Sequence, residues 1–191
     1  MEFLPNNWYH IYNRGNNRAN IFFENENYIF FLEKIRKHWL SHCEIAAYCL
    51  MPNHFHFLVK IKESYTQGQL NKRIAITLRS YTQAINRSFD RTGSLFEEST
   101  KAKCLSKGKS VKNYNYPLIC LHYIHQNPLR AKLVNQLREW RFSSFPDLAE
   151  FRNGSLPAKD LVYQYFQFNN KGDFRQQSLT AVPTQITKQL F

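Results

Sequence analysis

The chain has 191 residues, of which 43% are hydrophobic and 16% aromatic, so it predicts a folded protein with a sizeable core and excludes a disordered one. No apolar run approaches the ~20 residues that span a bilayer, so we expect no membrane-spanning segment. Lysine and arginine number 26 against 14 acidic residues, a net charge of +12 that attracts polyanions and makes nucleic acid the leading partner class. A merely basic protein without such a partner is the alternative.

The four cysteines indicate a reducing compartment. They show no CxxC spacing, and Cys43, Cys49 and Cys120 lie in apolar segments. The start of the chain has no signal-peptide pattern, which would be a basic stretch followed by an apolar one. We therefore expect reduced, buried thiols in a cytoplasmic protein.

The first third of the chain predicts one helix among three strands. "WYHIYNRG" (Trp8–Gly15) is typical of a strand. The segment 22–43 carries apolar residues near helical spacing, and Asn25 or Asn27 is a candidate cap for its start. Two further strands, Cys43–Met51 and His54–Ile61, are separated by so short a connection that they form a hairpin. The apolar positions of the predicted helix are Ile29, Phe30, Leu32, Ile35 and Trp39.

The rest of the chain predicts mainly helices. A long helix covers Gln67–Gly93, and "SLFEE" and "TKAKCL" are two short strands. After a lysine-rich connector, a helix covers Asn115–Asn127 and ends at Pro128, because proline disfavours the α conformation of the residue before it. "REWRFSSFPDL" is a turn with aromatic anchors, "AKDLVYQYFQF" is a short final helix, and from Asn169 the chain is polar and loose.

The order strand, helix, strand, strand, helix, strand predicts an α+β fold of the ferredoxin-like split βαβ type, an antiparallel sheet with helices. We expect one catalytic domain over residues 1–147. A C-terminal helical extension then covers 148–191, as a short helix followed by a loose polar tail.

Two histidines on one strand are the first candidates for chemistry. His54 and His56 point to the same face, about 7 Å apart along the strand. Two neutral imidazoles at such positions can bind one divalent ion and leave it open for substrate. Two half-buried histidines that hydrogen-bond to their neighbours are the plainer explanation, and the strand alone does not decide between them.

The helix with the sequence "CLHYIHQNPLR" supplies the second candidates. Tyr123 and Asn127 are four residues apart and share a helical face. A tyrosine can act as a nucleophile, but its pKa near 10 means that it needs help from a cation that screens the phosphate under attack. An asparagine carbonyl on the same face could complete a metal site. A tyrosine that only packs its ring is the plainer explanation for this helix alone.

Taken together, these segments resemble the HUH single-strand DNA transposases with one catalytic tyrosine, and most closely their REP-associated branch. The resemblance runs over residues 8–147 and rests on five stretches: "YHIYNRGNNRANIFF", "YCLMPNHFHFLVK", "SYTQAINRSFDRTGSLFEE", "YIHQNPLRAKLV" and "WRFSSF".

The resemblance implies a role for each matching residue. His54 and His56 match the two histidine ligands of a Mg²⁺ or Mn²⁺ ion, and Tyr123 matches the nucleophile. Asn127 matches the third ligand, which in insertion-sequence relatives is often glutamine, and Gln126 is the adjacent alternative. The implied activity is that of a metal-dependent endonuclease and strand transferase, which forms a 5′-phosphotyrosine intermediate on single-stranded or hairpin DNA. Insertion-sequence relatives act as dimers and the REP-associated branch as monomers, so the chain is expected to be a monomer or a homodimer.

Basic residues outside the catalytic group are candidates for DNA binding, because lysine and arginine bind phosphates without reading sequence. The candidates are Arg14, Lys101, Lys103, Lys107, Lys109, Lys112 and Arg130, with further arginines at 18, 73, 79, 87 and 91. His122 and His125 could contact phosphate or simply pack.

Two other functions remain open from the sequence. One is a non-catalytic protein of the same fold that binds single-stranded or hairpin DNA. The other is a hydrolase in which a metal-bound water is the nucleophile, which would yield a free 5′-phosphate and no protein–DNA adduct.

Overall fold

The computed structural model describes residues 1–106, 115–180 and 182. Four strands form one antiparallel sheet in the order β2-β3-β1-β4. This is the predicted ferredoxin-like α+β arrangement, and that prediction is confirmed. The elements are β1 (Trp8–Arg14), α1 (Asn25–Trp39), β2 (Cys43–Met51), β3 (His54–Ile61), α2 (Gln69–Ser88), β4 (Lys101–Cys104), α3 (Tyr116–Arg130), α4 (Phe145–Leu148), α5 (Lys159–Phe166) and α6 (Lys171–Leu179).

The sheet separates two apolar cores. Phe55, Phe57 and Val59 of β3 face α1 and α2, and all three are fully buried. Leu58, with the opposite parity, faces α3, α5 and α6. Because side chains alternate along a strand, His54 and His56 share the face of Leu58 and lie under α3.

Helix α1 buries only part of the predicted stripe: Ile35 and Trp39 are buried as predicted, and Phe30 and Leu32 are half-buried. Tyr28, Phe31, Ile35 and Trp39 are its buried apolar residues, whereas Ile29 is 46% exposed. The predicted and the observed stripe share Ile35 and Trp39 and lie side by side on the helix. The helical period of the sequence alone could not choose between them. Its start is capped by Asn27, whose side chain accepts hydrogen bonds from the backbone of Phe23 and Glu24.

Three details of the remaining predicted elements differ from the structure. Helix α2 ends at Ser88, just before the Asp90–Gly93 segment that was expected to end it. "SLFEE" is no strand, since it contributes only a single bridge between Phe96 and Gly15. The chain after Asn169 is not loose throughout, because Asn170 caps helix α6 by accepting from the backbone of Gly172 and Asp173.

Helix α3 continues past the predicted end at Asn127 to Arg130, with Pro128 inside it. Proline has no N–H to donate to the carbonyl of Ile124. The side-chain amide of Asn127 lies 3.5 Å from that oxygen and donates to the carbonyl of Tyr123 at 3.1 Å. The asparagine therefore supplies a donor where the proline lacks one, and the helix persists.

Among the described residues, no helix is both long and apolar enough to cross a membrane. The cysteines Cys43, Cys49 and Cys120 are buried thiols without disulfide partners, as predicted.

Candidate active site

The two histidines of β3 lie side by side, with ring centroids 5.0 Å apart. His54 donates from Nδ1 to the Asn53 side-chain oxygen at 2.6 Å, which places its proton on Nδ1 and its lone pair on Nε2. His56 Nδ1 lies 3.0 Å from Nε2 of His10 on β1. Each of the two rings is thus held through its own Nδ1.

Burial keeps both imidazoles neutral. It lowers the pKa of His54 to about 4, assisted by the charge of Arg14. Burial also holds the pKa of His56 well below its usual value, with smaller effects from His10 and His54. A neutral imidazole with its lone pair on Nε2 is the form that binds a metal ion, so the donor set fits a divalent cation.

Helix α3 crosses above these histidines and brings Tyr123 to them. The Tyr123 ring centroid lies 5.9 Å from that of His56 and 6.5 Å from that of His10. Burial raises the pKa of Tyr123 to about 12, against opposing effects from the Arg130 charge and from a hydrogen bond with Asn127. The phenol is therefore protonated at neutral pH and needs further activation before it can attack.

One cavity of about 490 Å³ joins the candidate residues. Among the DNA-binding candidates, Arg14 and Lys101 line it together with Arg18. Its full lining is Tyr12, Asn13, Arg14, Arg18, Asn53, His54, His56, Glu97, Ser99, Lys101 and Tyr123. A cavity with two histidines, two tyrosines and three cationic side chains suits a phosphodiester substrate, although one of these cations, Arg14, is paired with Glu97 of the same lining.

Asn127, the predicted third ligand, and its alternative Gln126 do not line this cavity. Asn127 directs its amide nitrogen to the backbone of its own helix. Gln126 donates to the carbonyls of Ser178 and Thr180, on the side of α3 that carries the C-terminal segment. In the described part of the chain, no three His, Cys, Asp or Glu side chains are grouped to hold a metal ion.

The remaining basic candidates are distributed unevenly. Lys103 pairs with His10 across the β1–β4 ladder and shares its face. Arg130 donates to the carbonyl of Val182, and its guanidinium lies 5.6 Å from the centre of the Tyr123 ring. Arg73, Arg79 and Arg87 lie on α2, which covers the opposite face of the sheet. Lys107, Lys109 and Lys112 lie outside the described residues.

His122 and His125 pack rather than face the cavity. Nδ1 of His122 lies 3.2 Å from Oγ of Ser178 on α6, and Nε2 of His125 lies 2.8 Å from Oγ of Ser144. They attach the tyrosine helix to its neighbours.

The opening "NRG" has a structural role that the sequence did not reveal. The Asn13 amide donates to the carbonyl of Glu97 and to the hydroxyl of Thr100, joining β1 to the cavity wall. A Cβ on Gly15 would lie 2.0 Å from the carbonyl oxygen of Ala19, so only glycine fits there. His10 was also missed, because its proximity to His56 depends on the strand register.

The family described as "Transposase IS200 like" matches residues 4–127. A Haemophilus influenzae protein named as a REP-associated tyrosine transposase is 23% identical over 111 residues, which cover 53% of this chain and 58% of that relative. The chain thus spans little more than half the length of this relative.

A solved structure of a REP-associated tyrosine transposase bound to a REP hairpin superimposes with a TM-score of 0.58 at 19% identity. The match covers 75% of this chain and 79% of the other, and it shows a shared fold. Since the family match extends over well more than half of the sequence, the chain belongs to the IS200-like transposases, as the sequence resemblance indicated.

Proposed function

We propose that this chain is a metal-dependent single-strand DNA endonuclease and strand transferase that acts on single-stranded or hairpin DNA. Tyr123 is the nucleophile, and His54 and His56 hold a Mg²⁺ or Mn²⁺ ion. The observation that carries the proposal is that His54, His56 and Tyr123, the three residues that match the family motif, line one cavity, with the Tyr123 ring 5.9 Å from that of His56. The Tyr12 ring lies at the same distance from His56 in the same cavity, so Tyr12→Phe is the matched control for the nucleophile.

The reaction exchanges one phosphodiester for another. The Tyr123 oxygen attacks phosphorus and the bond from phosphorus to the 3′ oxygen breaks, leaving a 5′-phosphotyrosine and a 3′-OH that takes up the proton lost by the phenol. Because the ester is retained, the 3′-OH of another strand can reverse the step and join DNA. When bound, the divalent ion supplies charge that polarises the phosphate.

The chain's own residues supply orientation and charge. His54 and His56 present neutral nitrogen donors, each held through Nδ1. Arg130 lowers the pKa of Tyr123 against the effect of burial, and so favours the phenolate that attacks. Arg14, Arg18 and Lys101 line the cavity where the DNA backbone would enter.

The histidines and the tyrosine meet within one chain, and the choice between a monomer and a homodimer stays a prediction. The hairpin in the structurally similar transposase supports hairpin DNA as the substrate class. The ligand role of Asn127 and the cytoplasmic location stay predictions.

A covalent-adduct assay tests the proposal. Labelled hairpin DNA with a single-stranded flank is incubated with the protein and Mn²⁺, and a protein–DNA band that survives denaturation is expected. Tyr123→Phe removes the attacking oxygen while keeping the ring, so it should abolish the band and leave hairpin binding intact. An undiminished band with Tyr123→Phe would refute the assignment of the nucleophile, and a free 5′-phosphate without adduct would identify water as the nucleophile.

A non-catalytic hairpin-binding protein is the second candidate. The observations that favour it are the raised pKa of Tyr123, to about 12, and the absence of Asn127 from the cavity lining. It predicts hairpin binding without any metal-dependent cleavage, and binding that His54→Ala does not change.

A further inference from the structure

His10 is a fully buried histidine for which the proposed reaction has no use. It lies on β1 and is the diagonal neighbour of His56, since Tyr12 pairs with His56 and His10 pairs with Leu58. The rings of His10 and His56 stack at 27° with centroids 5.1 Å apart, and Nε2 of His10 lies 3.0 Å from Nδ1 of His56.

A metal-binding imidazole needs its second nitrogen held. If Nε2 binds the ion, Nδ1 must carry the proton, and a partner that accepts from this N–H fixes both the tautomer and the ring orientation. The partner is usually a carboxylate, a backbone carbonyl or water. Asn53 does this for His54 through its side-chain oxygen, at 2.6 Å.

His10 stands in the equivalent place for His56. The contact to Nδ1 of His56 comes from Nε2 of His10, at 3.0 Å. The two candidate ligands are therefore held from two separate elements, His54 from the hairpin turn and His56 from β1.

We propose that His10 is a positioning residue, which accepts the Nδ1–H of His56 and thereby directs the Nε2 lone pair of His56 to the metal ion. The inference rests on the proposed function, because it concerns the same ion. His10 is not itself a ligand through Nε2, since that nitrogen makes the bond to His56, and His10 does not line the cavity.

Three variants test the inference. His10→Phe keeps a flat ring but removes the acceptor. His10→Gln retains an acceptor oxygen and is the conservative rescue. His42→Phe is the matched control, because His42 precedes Cys43, which pairs with Ile61 at the opposite end of β3 from His54.

The first measurement is Mn²⁺ affinity by titration calorimetry without DNA. Loss of a partner that holds a metal-binding histidine typically weakens affinity by about 10- to 100-fold, and this is the loss expected for His10→Phe. His10→Gln should regain most of the affinity, and His42→Phe should bind as the parent does. Parent-like affinity in a folded His10→Phe protein would overturn the inference.

The second measurement is the tautomer of His56 in the metal-free parent, from long-range proton–nitrogen NMR correlations assigned with His56→Gln. The expected form carries the proton on Nδ1, and a parent in which Nε2 carries it overturns the inference even if His10→Phe fails to fold. A parent that takes up no Mn²⁺ would refute the metal site of the proposed function, whereas the tautomer still decides the role of His10.

Discussion

Helix α3, which carries Tyr123, is attached to its neighbours through buried neutral histidines. We therefore expect the free energy of unfolding to fall markedly in acid. Burial lowers the pKa of His122 to about 4, whereas an unfolded histidine has a pKa of about 6.5. The unfolded chain therefore binds a proton at a higher pH than the folded chain does. The stability that depends on neutral His122 is complete above pH ~6.5 and is lost as the pH falls towards about 4.

The size of the effect follows from these two values. Between about pH 7.5 and about pH 5.5, the unfolded state gains nearly one proton at this position and the folded state almost none, which costs roughly 1 kcal/mol. His54 and His125, with pKa values of about 4 and about 3, each add a similar loss, and so does His56, whose pKa burial holds well below its usual value. The parent should thus lose on the order of 4 kcal/mol of its free energy of unfolding over this interval.

Urea unfolding of the parent and of His122→Asn at the two pH values isolates one histidine. Asparagine places a polar atom near the position of Nδ1, where the bond to Ser178 is made, but it does not titrate. The variant should lose roughly 1 kcal/mol less than the parent on acidification. An equal loss in both proteins would refute the argument that His122 is buried in its neutral form.

Three further predictions concern residues around the site. Arg152→Leu should lower the free energy of unfolding by about 3 kcal/mol in urea titrations, because it leaves the buried Asp147 carboxylate without the guanidinium that binds both its oxygens at 2.7 Å; an unchanged midpoint would contradict this. Gly15→Ala should lower the thermal midpoint, since its Cβ would meet the Ala19 carbonyl, whereas Gly93→Ala, with open space at its Cβ but a positive φ, should cost only about 1 kcal/mol. Asn127→Ala should cost about 1 kcal/mol of stability, because its amide nitrogen donates to the helix backbone; a roughly 10- to 100-fold loss of Mn²⁺ affinity in the same variant would support the ligand role of its side-chain oxygen, and an unchanged affinity would contradict that role.

The sheet, and the face of it that carries His54 and His56, were predictable because side chains alternate between the two faces of a strand. In "HFHFLVKI" this period puts Phe55 and Phe57 in one core and both histidines on the other face, and the structure agrees. The hairpin bounds followed from the short Pro52–Asn53 connection. The contact between His10 and His56 was not predictable, because it needs the register of two strands that are distant in sequence.

Helical periodicity was a weaker guide, because neighbouring stripes of one helix can both carry apolar residues. In α1, Ile29 and Phe31 are equally apolar, and only packing against the sheet decides that Phe31 is buried. The polar composition after Asn169 concealed α6, whose main apolar anchor is the single buried Phe174. Composition reports average burial, whereas α6 is held by one apolar anchor, the Asn170 cap and the hydrogen bonds that join Ser178 to α3.

Asn127 illustrates how a proline inside a helix bears on the role of the residue before it. The sequence rule that proline ends a helix and the family resemblance that makes Asn127 a ligand both treat its side chain as available to the site. In the structure that side chain donates to the carbonyl of Tyr123 and lies beside the carbonyl left without a donor by Pro128. The same amide thus extends the helix beyond the proline and fixes the turn that carries Tyr123. The amide nitrogen of Asn127 therefore helps to position the nucleophile, whereas the proposed ligand role belongs to its side-chain oxygen. The stability and the Mn²⁺ affinity of Asn127→Ala, measured side by side, separate these two roles.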